Sequence, residues 1–212
     1  MRDYEIHCVS CGDMEANAYL LTKDGKHAVL IDCGGEEVLR EAEKLGLEVE
    51  AVLLTHGHFD HIGGCGAAQE KGIRIGCSAA EKILTETPEL NLSLQTGASV
   101  PPFKVDFTFE GGDVLSFAGI SLKVISTPGH TEGGVCFRAG DAVFSGDTLF
   151  RESIGRTDFP TGNRASLNVS IVKLLTVCED CDIYPGHGPM TTGAHERAFM
   201  EKMFNYRNHI NF

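Results

Sequence analysis

The stretch Thr55-His56-Gly57-His58-Phe59-Asp60-His61 decides how this sequence is interpreted. It directly follows the apolar residues 51–54, which predict a short buried strand. Neighbouring side chains of a regular strand point to opposite faces, so only a turn can direct these imidazole and carboxylate groups to one side. Both groups are ligands suited to zinc. We therefore predict that His56 and His58 bind one metal ion, and that Asp60 and His61 bind a second.

Three later segments each place one more histidine or aspartate directly after a glycine, at the end of a short apolar strand. They are Thr127-Pro128-Gly129-His130, Ser145-Gly146-Asp147 and Pro185-Gly186-His187. Ligand sites in sheet-based proteins assemble at the outer ends of strands, so all of these segments are expected to face one crevice. His130 then completes the first ligand set and His187 the second, while Asp147 bridges both ions through its two oxygens. The glycines are expected to let the loops approach the metals closely.

Composition and charge restrict the classes of protein and partner. A chain of 212 residues with 42% hydrophobic content can bury one sizeable core, and we expect one domain spanning residues 1–212. The net charge of −12, without any basic run, argues against a nucleic-acid partner. Residues 1–8 lack an apolar stretch of signal-peptide length, and no segment approaches the ~20 apolar residues of a membrane span. We therefore expect a cytoplasmic protein with no membrane partner.

The eight cysteines include two pairs with CxxC spacing, Cys8/Cys11 and Cys178/Cys181. Together these pairs have the composition of a four-thiolate zinc site. Nothing in the sequence brings the two pairs together, and a chain without a secretion signal is expected to keep its thiols reduced. We favour scattered free thiols over a zinc site.

The apolar pattern predicts an α/β protein. Helices are predicted at residues 36–45, 66–71, 79–85, 165–177 and 194–204, and short apolar runs before and between them predict strands. Residues 87–102 are polar and rich in proline, which predicts a long loop. Both halves of the chain run from strands through a helix to a short strand and another helix. The simplest architecture is an αββα sandwich, in which two sheets bury their inner faces together and helices cover the outer faces.

The ligand pattern resembles that of the metallo-β-lactamase superfamily and, within it, the glyoxalase II group of hydroxyacylglutathione hydrolases. The resemblance extends from Asn17-Ala18-Tyr19-Leu20 to Tyr184-Pro185-Gly186-His187-Gly188. It implies the metallo-β-lactamase fold and a hydrolase with two Zn²⁺ ions, with Fe or Mn as alternatives. A hydroxide held between the ions would attack a small-molecule thioester such as a hydroxyacylglutathione. Asp60, as a proton shuttle, and Asp147 are the residues expected to take part in catalysis.

The resemblance also implies supporting roles near the ligands. Asp32 is similar to a family aspartate that orients a ligand imidazole, although its position before Glu36 also fits a helix N-cap. Thr55 and Thr131 flank ligands, and each either supports a ligand or satisfies the backbone of its turn.

Full-length glyoxalase II carries a C-terminal helical domain that binds glutathione, and this chain ends about 25 residues after His187. We therefore expect no complete domain of that kind. The nearest cationic residues that can anchor an anionic substrate are Arg151, Arg156, Lys202 and Arg207.

Other functions remain open on the sequence. Residues 146–160 resemble both the compact glyoxalase II-like hydrolases and the persulfide dioxygenases, which would use one iron held by His56, His130 and Asp147. The segment Pro185-Gly186-His187-Gly188-Pro189 resembles the hydrolase form. A nuclease, a secreted β-lactamase and a metal-binding module without catalysis are less favoured.

Overall fold

The computed structural model describes residues 2–209 and contains two six-stranded sheets. The first sheet contains, in spatial order, β1 (Glu5–Cys11), β2 (Ala16–Thr22), β3 (His27–Ile31), β4 (Glu48–Leu53), β5 (Arg74–Ser78) and β6 (Phe107–Phe109). Strands β1 to β3 are antiparallel, and β3 to β6 run parallel to one another.

The second sheet is built mainly from the C-terminal half of the chain. Its strands are β7 (Val114–Phe117), β8 (Ile120–Ser126), β9 (Val135–Ala139), β10 (Ala142–Gly146), β13 (Asp182–Pro185) and β14 (Thr191–Thr192). Strands β7 to β10 form an antiparallel meander, and β13 lies parallel to β10. A separate hairpin of β11 (Leu149–Phe150) and β12 (Ser153–Ile154) follows β10.

Helices form the connections on the outside of the two sheets. They are α1 (Glu36–Lys44), α2 (Phe59–Ile62), α3 (Cys65–Glu70), α4 (Lys82–Glu86), α5 (Ser93–Thr96), α6 (Arg164–Val177) and α7 (Gly193–His209). None of the helices within residues 2–209 has the length and apolar character needed to cross a membrane.

The two sheets pack face to face around a shared apolar core. Leu21 and Val29 of the first sheet belong to the same buried cluster as Phe137 and Phe144 of the second. Their neighbours on β2 and β3 point the other way, because side chains alternate along a strand. Leu20 accordingly lies in a different cluster from Leu21.

Helices cover both outer faces. Val38 and Leu39 of α1 are buried against the outer side of the first sheet, and Leu167 and Leu174 of α6 against the outer side of the second. Every residue of β2 is buried, as expected for a strand covered on both faces. These layers confirm the predicted αββα sandwich.

The structure corrects the predicted loop at residues 87–102. The one-turn helix α5 lies within it, and the Asn91 side chain accepts a hydrogen bond from the Ser93 backbone N–H at 2.9 Å. A helix of one turn has no periodicity to detect in the sequence. The Asn91 carbonyl also accepts a hydrogen bond from the Phe59 N–H, so this segment packs against the histidine-rich turn.

The cysteines do not form a metal site. All eight are free, and no candidate metal-binding group within residues 2–209 contains one. Cys8 is exposed whereas Cys11 is buried, because residues three apart on β1 point to opposite faces.

Candidate metal centre

The carboxyl ends of strands in both sheets meet at one edge of the sandwich. The turn with His56 follows β4 of the first sheet, while His130, Asp147 and His187 follow β8, β10 and β13 of the second. Strands β8, β10 and β13 run in the same direction, so their ends lie at the same edge. Every side chain predicted from the sequence as a metal ligand lies in this one cluster.

The first ligand group combines His56, His58 and His130. Their candidate ligand atoms lie within 4.8 Å of one another, and all three residues are buried. His58 Nδ1 is 2.9 Å from His130 Nε2, so the nitrogens of two different loops converge on a single point.

The second group combines Asp60, His61 and His187. Asp60 Oδ2 lies 3.2 Å from His187 Nε2 and 3.9 Å from His61 Nε2. Helix α2 begins at Phe59, directly after His58, and the His61 ring lies 4.3 Å from the His56 ring, so the two groups adjoin each other.

Asp147 lies between the two groups. Its Oδ2 is 3.5 Å from His130 Nε2 of the first group and 3.7 Å from His187 Nε2 of the second, while Oδ1 is 3.3 Å from His61 Nε2. The carboxylate therefore contacts both groups, as a bridging ligand must.

The donor atoms of this cluster fit metal ions. Buried side-chain atoms without a hydrogen-bond partner, among the described residues, are His56 Nε2, His58 Nε2, His61 Nε2, Thr131 Oγ1 and Asp147 Oδ1. Leaving a buried polar atom unpaired costs about 1–3 kcal/mol, so such a concentration at one place indicates a site for a bound group. Imidazole and carboxylate donors suit zinc, iron or manganese.

Hydrogen bonds also set the tautomers that metal binding requires. His130 Nδ1 lies 2.8 Å from the Arg156 carbonyl oxygen. Because a carbonyl only accepts, Nδ1 carries the proton and Nε2 presents its lone pair to the cluster.

Asp32 organises one histidine in each group. Its Oδ2 accepts a hydrogen bond from His61 Nδ1 at 2.9 Å and another from the Thr55 hydroxyl at 2.8 Å. The Thr55 oxygen in turn lies 3.1 Å from His56 Nδ1 and accepts its proton. The N-cap interpretation of Asp32 is wrong, because Gly35 occupies the N-cap of α1. Asp32 adopts a left-handed backbone with φ of 59°, which aims its carboxylate at the cluster.

The electrostatic environment favours a cation. Burial depresses the pKa of His58 to about 3, assisted by the neighbouring His130, so this imidazole is neutral at pH 7. Burial would also lower the pKa of His61, but Asp32, Asp147 and Asp60 raise it well above its usual value. These carboxylates place negative potential where a metal ion would lie.

Glycines bring the ligand loops close together, as predicted. A Cβ atom on Gly186 would collide with Asp147 Oδ1 and lie 2.8 Å from His61 Cε1. Gly146 has φ of +46°, and a Cβ there would collide with Thr55 Oγ1. Both positions therefore require glycine.

We expect Gly186→Ala to bind less metal and to have about 100-fold lower catalytic activity. The added methyl group would displace Asp147 or His61. The check is metal content per chain by mass spectrometry after purification. Gly188→Ala is the matched control, since a Cβ at Gly188 meets nothing within 4 Å and its φ of +74° adds only backbone strain. Equal metal loss in both variants would contradict the steric explanation.

Sequence reasoning missed two residues that hold the ligand loops. The Glu81 carboxylate is fully buried and accepts hydrogen bonds from the backbone N–H groups of Gly57 and Gly133. Asn17 donates its side-chain amide to the carbonyls of Pro185 and Gly188. The signal for Glu81 was its helical spacing from Leu84, which places a carboxylate on an apolar face.

Aromatic side chains flank the cluster on two sides. The Phe159 ring lies 5.8 Å from the His58 ring, and the Phe150 ring lies 6.0 Å from the His187 ring. The Arg156 guanidinium stacks on Phe159 at 4.2 Å and pairs with Asp158. Of the predicted cationic anchors, Arg156 therefore lies beside the cluster. Arg151 and Lys202 are exposed, and the side chain of Arg207 is outside the described part.

Comparisons with known proteins agree with this fold and cluster. The family model of the metallo-β-lactamase superfamily matches residues 11–187. Hydroxyacylglutathione hydrolase GloC of Haemophilus influenzae is 36% identical over 200 residues, covering 91% of this chain and 94% of that protein.

Two solved structures are similar over almost their whole length. The BLEG-1 B3 metallo-β-lactamase has a TM-score of 0.87 and 35% identity, covering 92% of this chain and 97% of its own. TTHA1623, solved in a di-iron-bound form, has a TM-score of 0.81 and 35% identity, covering 90% of this chain and 96% of that chain. With a fold, a histidine and aspartate cluster and a family match in agreement, the chain belongs to the metallo-β-lactamase superfamily.

Proposed function

We propose that this chain is a hydrolase with two divalent metal ions that cleaves a small-molecule thioester of the hydroxyacylglutathione type. The first ion would be held by His56, His58 and His130, and the second by Asp60, His61 and His187, with Asp147 shared between them. The observation that carries this proposal is the position of Asp147, whose oxygens contact histidines of both groups. Zinc is our proposed metal, and iron is an alternative because TTHA1623 was solved with two irons.

The metal ions, when bound, supply Lewis acidity that makes a water molecule nucleophilic near pH 7 and polarises the substrate carbonyl. Asp32 and Thr55 keep the imidazoles of His61 and His56 in the tautomer that exposes Nε2. Although burial opposes ionisation, His61 and His187 hold the pKa of Asp60 below its usual value. The Asp60 carboxylate is therefore ionised, as a metal ligand must be, and its role as a proton shuttle stays a prediction. The departing thiolate needs no strong acid, which suits a thioester.

The substrate class rests on the relative and on the surroundings of the cluster. GloC of Haemophilus influenzae is named for hydroxyacylglutathione hydrolysis and matches nearly the full length of this chain. Arg156, stacked on Phe159 beside the first group, would bind a carboxylate of the substrate by exchanging its ion pair with Asp158 for it.

The decisive experiment combines metal analysis of the purified protein with assays on S-lactoylglutathione, glutathione persulfide and a β-lactam. Two metal ions per chain with thioester turnover support the proposal. One iron per chain with oxygen uptake on the persulfide would instead support a persulfide dioxygenase.

β-Lactam hydrolysis is the second candidate function. It is favoured by the similarity to BLEG-1, which is a B3 metallo-β-lactamase at 35% identity. A higher kcat/KM for the β-lactam than for the thioester would decide in its favour.

We expect His58→Ala to lower both metal content and thioester hydrolysis. The change removes one donor of the first group and leaves His130 Nε2 without its partner at 2.9 Å. The exposed His195→Ala serves as the control for loss of an imidazole outside the cluster. A His58→Ala protein with two metal ions and normal turnover would refute the assignment.

A further inference from the structure

A second buried carboxylate, besides those in the cluster, joins two of the ligand loops. Glu81 follows β5 of the first sheet and has no exposed surface. Its Oε2 accepts the Gly57 N–H at 2.8 Å, and its Oε1 accepts the Gly133 N–H, also at 2.8 Å. Both oxygens are therefore occupied by backbone donors of other segments.

These two backbone donors belong to the loops that carry the first ligand group. Gly57 stands between His56 and His58 in the loop after β4, and Gly133 follows His130 in the loop after β8. Because β4 and β8 lie in different sheets, Glu81 connects the two halves of the sandwich at this point.

The fit around Glu81 is tight on both sides. The Ser78 hydroxyl donates to the Gly133 carbonyl at 2.6 Å, so residues 78 and 81 hold both backbone groups of Gly133. A Cβ on Gly133 would lie 2.7 Å from the Glu81 nitrogen, and one on Gly57 would lie 2.9 Å from Leu84 Cβ. The close contacts leave the loops no room to approach further, and the hydrogen bonds oppose their separation.

The second ligand group has further supports besides Glu81: Asp32 binds His61, and other residues hold the His187 loop. Asn17 Nδ2 donates to the Pro185 carbonyl at 3.0 Å and to the Gly188 carbonyl at 2.9 Å, and the Tyr19 hydroxyl donates to Pro185 at 2.6 Å. These bonds fix the His187 loop from β2 and involve neither Gly57 nor Gly133.

We propose that Glu81 is a positioning residue for the first metal ion only: it holds the His56/His58 loop against the His130 loop at the spacing that one ion requires. This inference rests on the proposed two-metal centre. Residues that hydrogen-bond a ligand side chain typically contribute about 10–100-fold to metal affinity, and we expect a similar contribution from Glu81, which acts through the ligand loops.

The test is a zinc titration of metal-free Glu81→Gln by chelator competition, with a parallel Co²⁺ titration followed by visible absorption. Glutamine keeps the shape of the side chain, but its amide NH₂ must face a backbone N–H, so one loop loses its acceptor. We expect the affinity for one of the two ions to fall about 10–100-fold and the affinity for the other to stay within about 3-fold.

Glu196→Gln is the matched control for loss of a buried carboxylate. Glu196 also has no exposed surface and accepts hydrogen bonds from the Glu152 N–H at 2.9 Å and the Thr191 hydroxyl at 2.6 Å, away from the first group. This variant is expected to lower the thermal unfolding temperature but to bind both ions with the native affinity. Glu86 is exposed and lies in α4, the helix that Glu81 precedes, so Glu86→Gln is the control for loss of a negative charge in this segment.

Ser78→Ala provides a milder second variant should Glu81→Gln fail to fold, since it removes only the hydroxyl bond to the Gly133 carbonyl. We expect a smaller loss of affinity, again for one ion. Native affinity for both ions in the two variants, or equal weakening of both ions, would overturn the role of Glu81. A native protein that binds fewer than two ions would instead overturn the two-metal centre itself.

Discussion

Replacing Asp147 by alanine is expected to abolish binding of both metal ions together and to lower thioester hydrolysis by more than about 100-fold. Removing a residue that only supports a ligand typically lowers metal affinity by about 10–100-fold. Asp147 contacts histidines of both groups directly, so a larger loss is expected. The change removes both carboxylate oxygens, together with the negative charge that would balance the two cations. The loss should therefore be at least as large as that in His58→Ala, which affects one group.

The measurements are metal content per chain and kcat/KM on S-lactoylglutathione. Asp147→Asn keeps one oxygen and should retain more metal than the alanine variant. Asp180→Ala, in the exposed turn before β13, is the control for loss of an aspartate elsewhere. Normal turnover with full metal occupancy in Asp147→Ala would refute the bridging role.

Replacing Asp32 by asparagine is expected to weaken binding of both ions by about 10–100-fold, although Asp32 itself is not a predicted ligand. Its carboxylate contacts His61 of the second group directly and reaches His56 of the first through the Thr55 hydroxyl. An amide in its place offers one acceptor fewer and turns a donor toward groups that already donate. The two zinc dissociation constants measure the effect.

The left-handed backbone at Asp32 requires its own control. With φ of 59°, any residue with a Cβ other than Asn or Asp is strained there by about 1–2 kcal/mol. Asp32→Gly removes the carboxylate without that strain, so weakened zinc binding in this variant isolates the hydrogen bonds. Native affinities in both variants would show that Asp32 does not orient the ligands.

Thr55→Val should weaken binding of only the ion held by His56.

The side chains predicted as metal ligands could be picked out from the sequence because each carries its own local signal, and they lie in one cluster. Each histidine or aspartate stands at the end of an apolar strand, and a strand long enough to cross the core ends at the edge of a sheet. The glycines before His130, Asp147 and His187 were predicted to allow close approach, and the contacts of Gly146 and Gly186 agree. The layers of the sandwich were also predictable, since they follow from the alternation of apolar residues.

Other features had no such signal. Strand β4 begins at Glu48 rather than at the predicted residue 51. Its first residues include the exposed Glu48 and Glu50, so they do not form an apolar run, and pairing with β3 extends the strand to them. The α5 turn is too short to show a period. The spacing of Glu81 from Leu84 indicates a carboxylate on an apolar helix face, but the partners of Glu81 and Asn17 are backbone groups, which no residue type in the sequence marks.

The sequence by itself therefore determined the layered fold and the set of donor side chains, because both depend on residue type and spacing along one strand or turn. The tertiary structure supplies the distances within the predicted groups and around Asp147, and only the tertiary structure shows that Glu81 and Asn17 hold the ligand loops. These relations are hydrogen bonds and contacts between segments up to 171 residues apart along the chain, as for Asn17 and Gly188. Their geometry exists only after the two sheets have packed together.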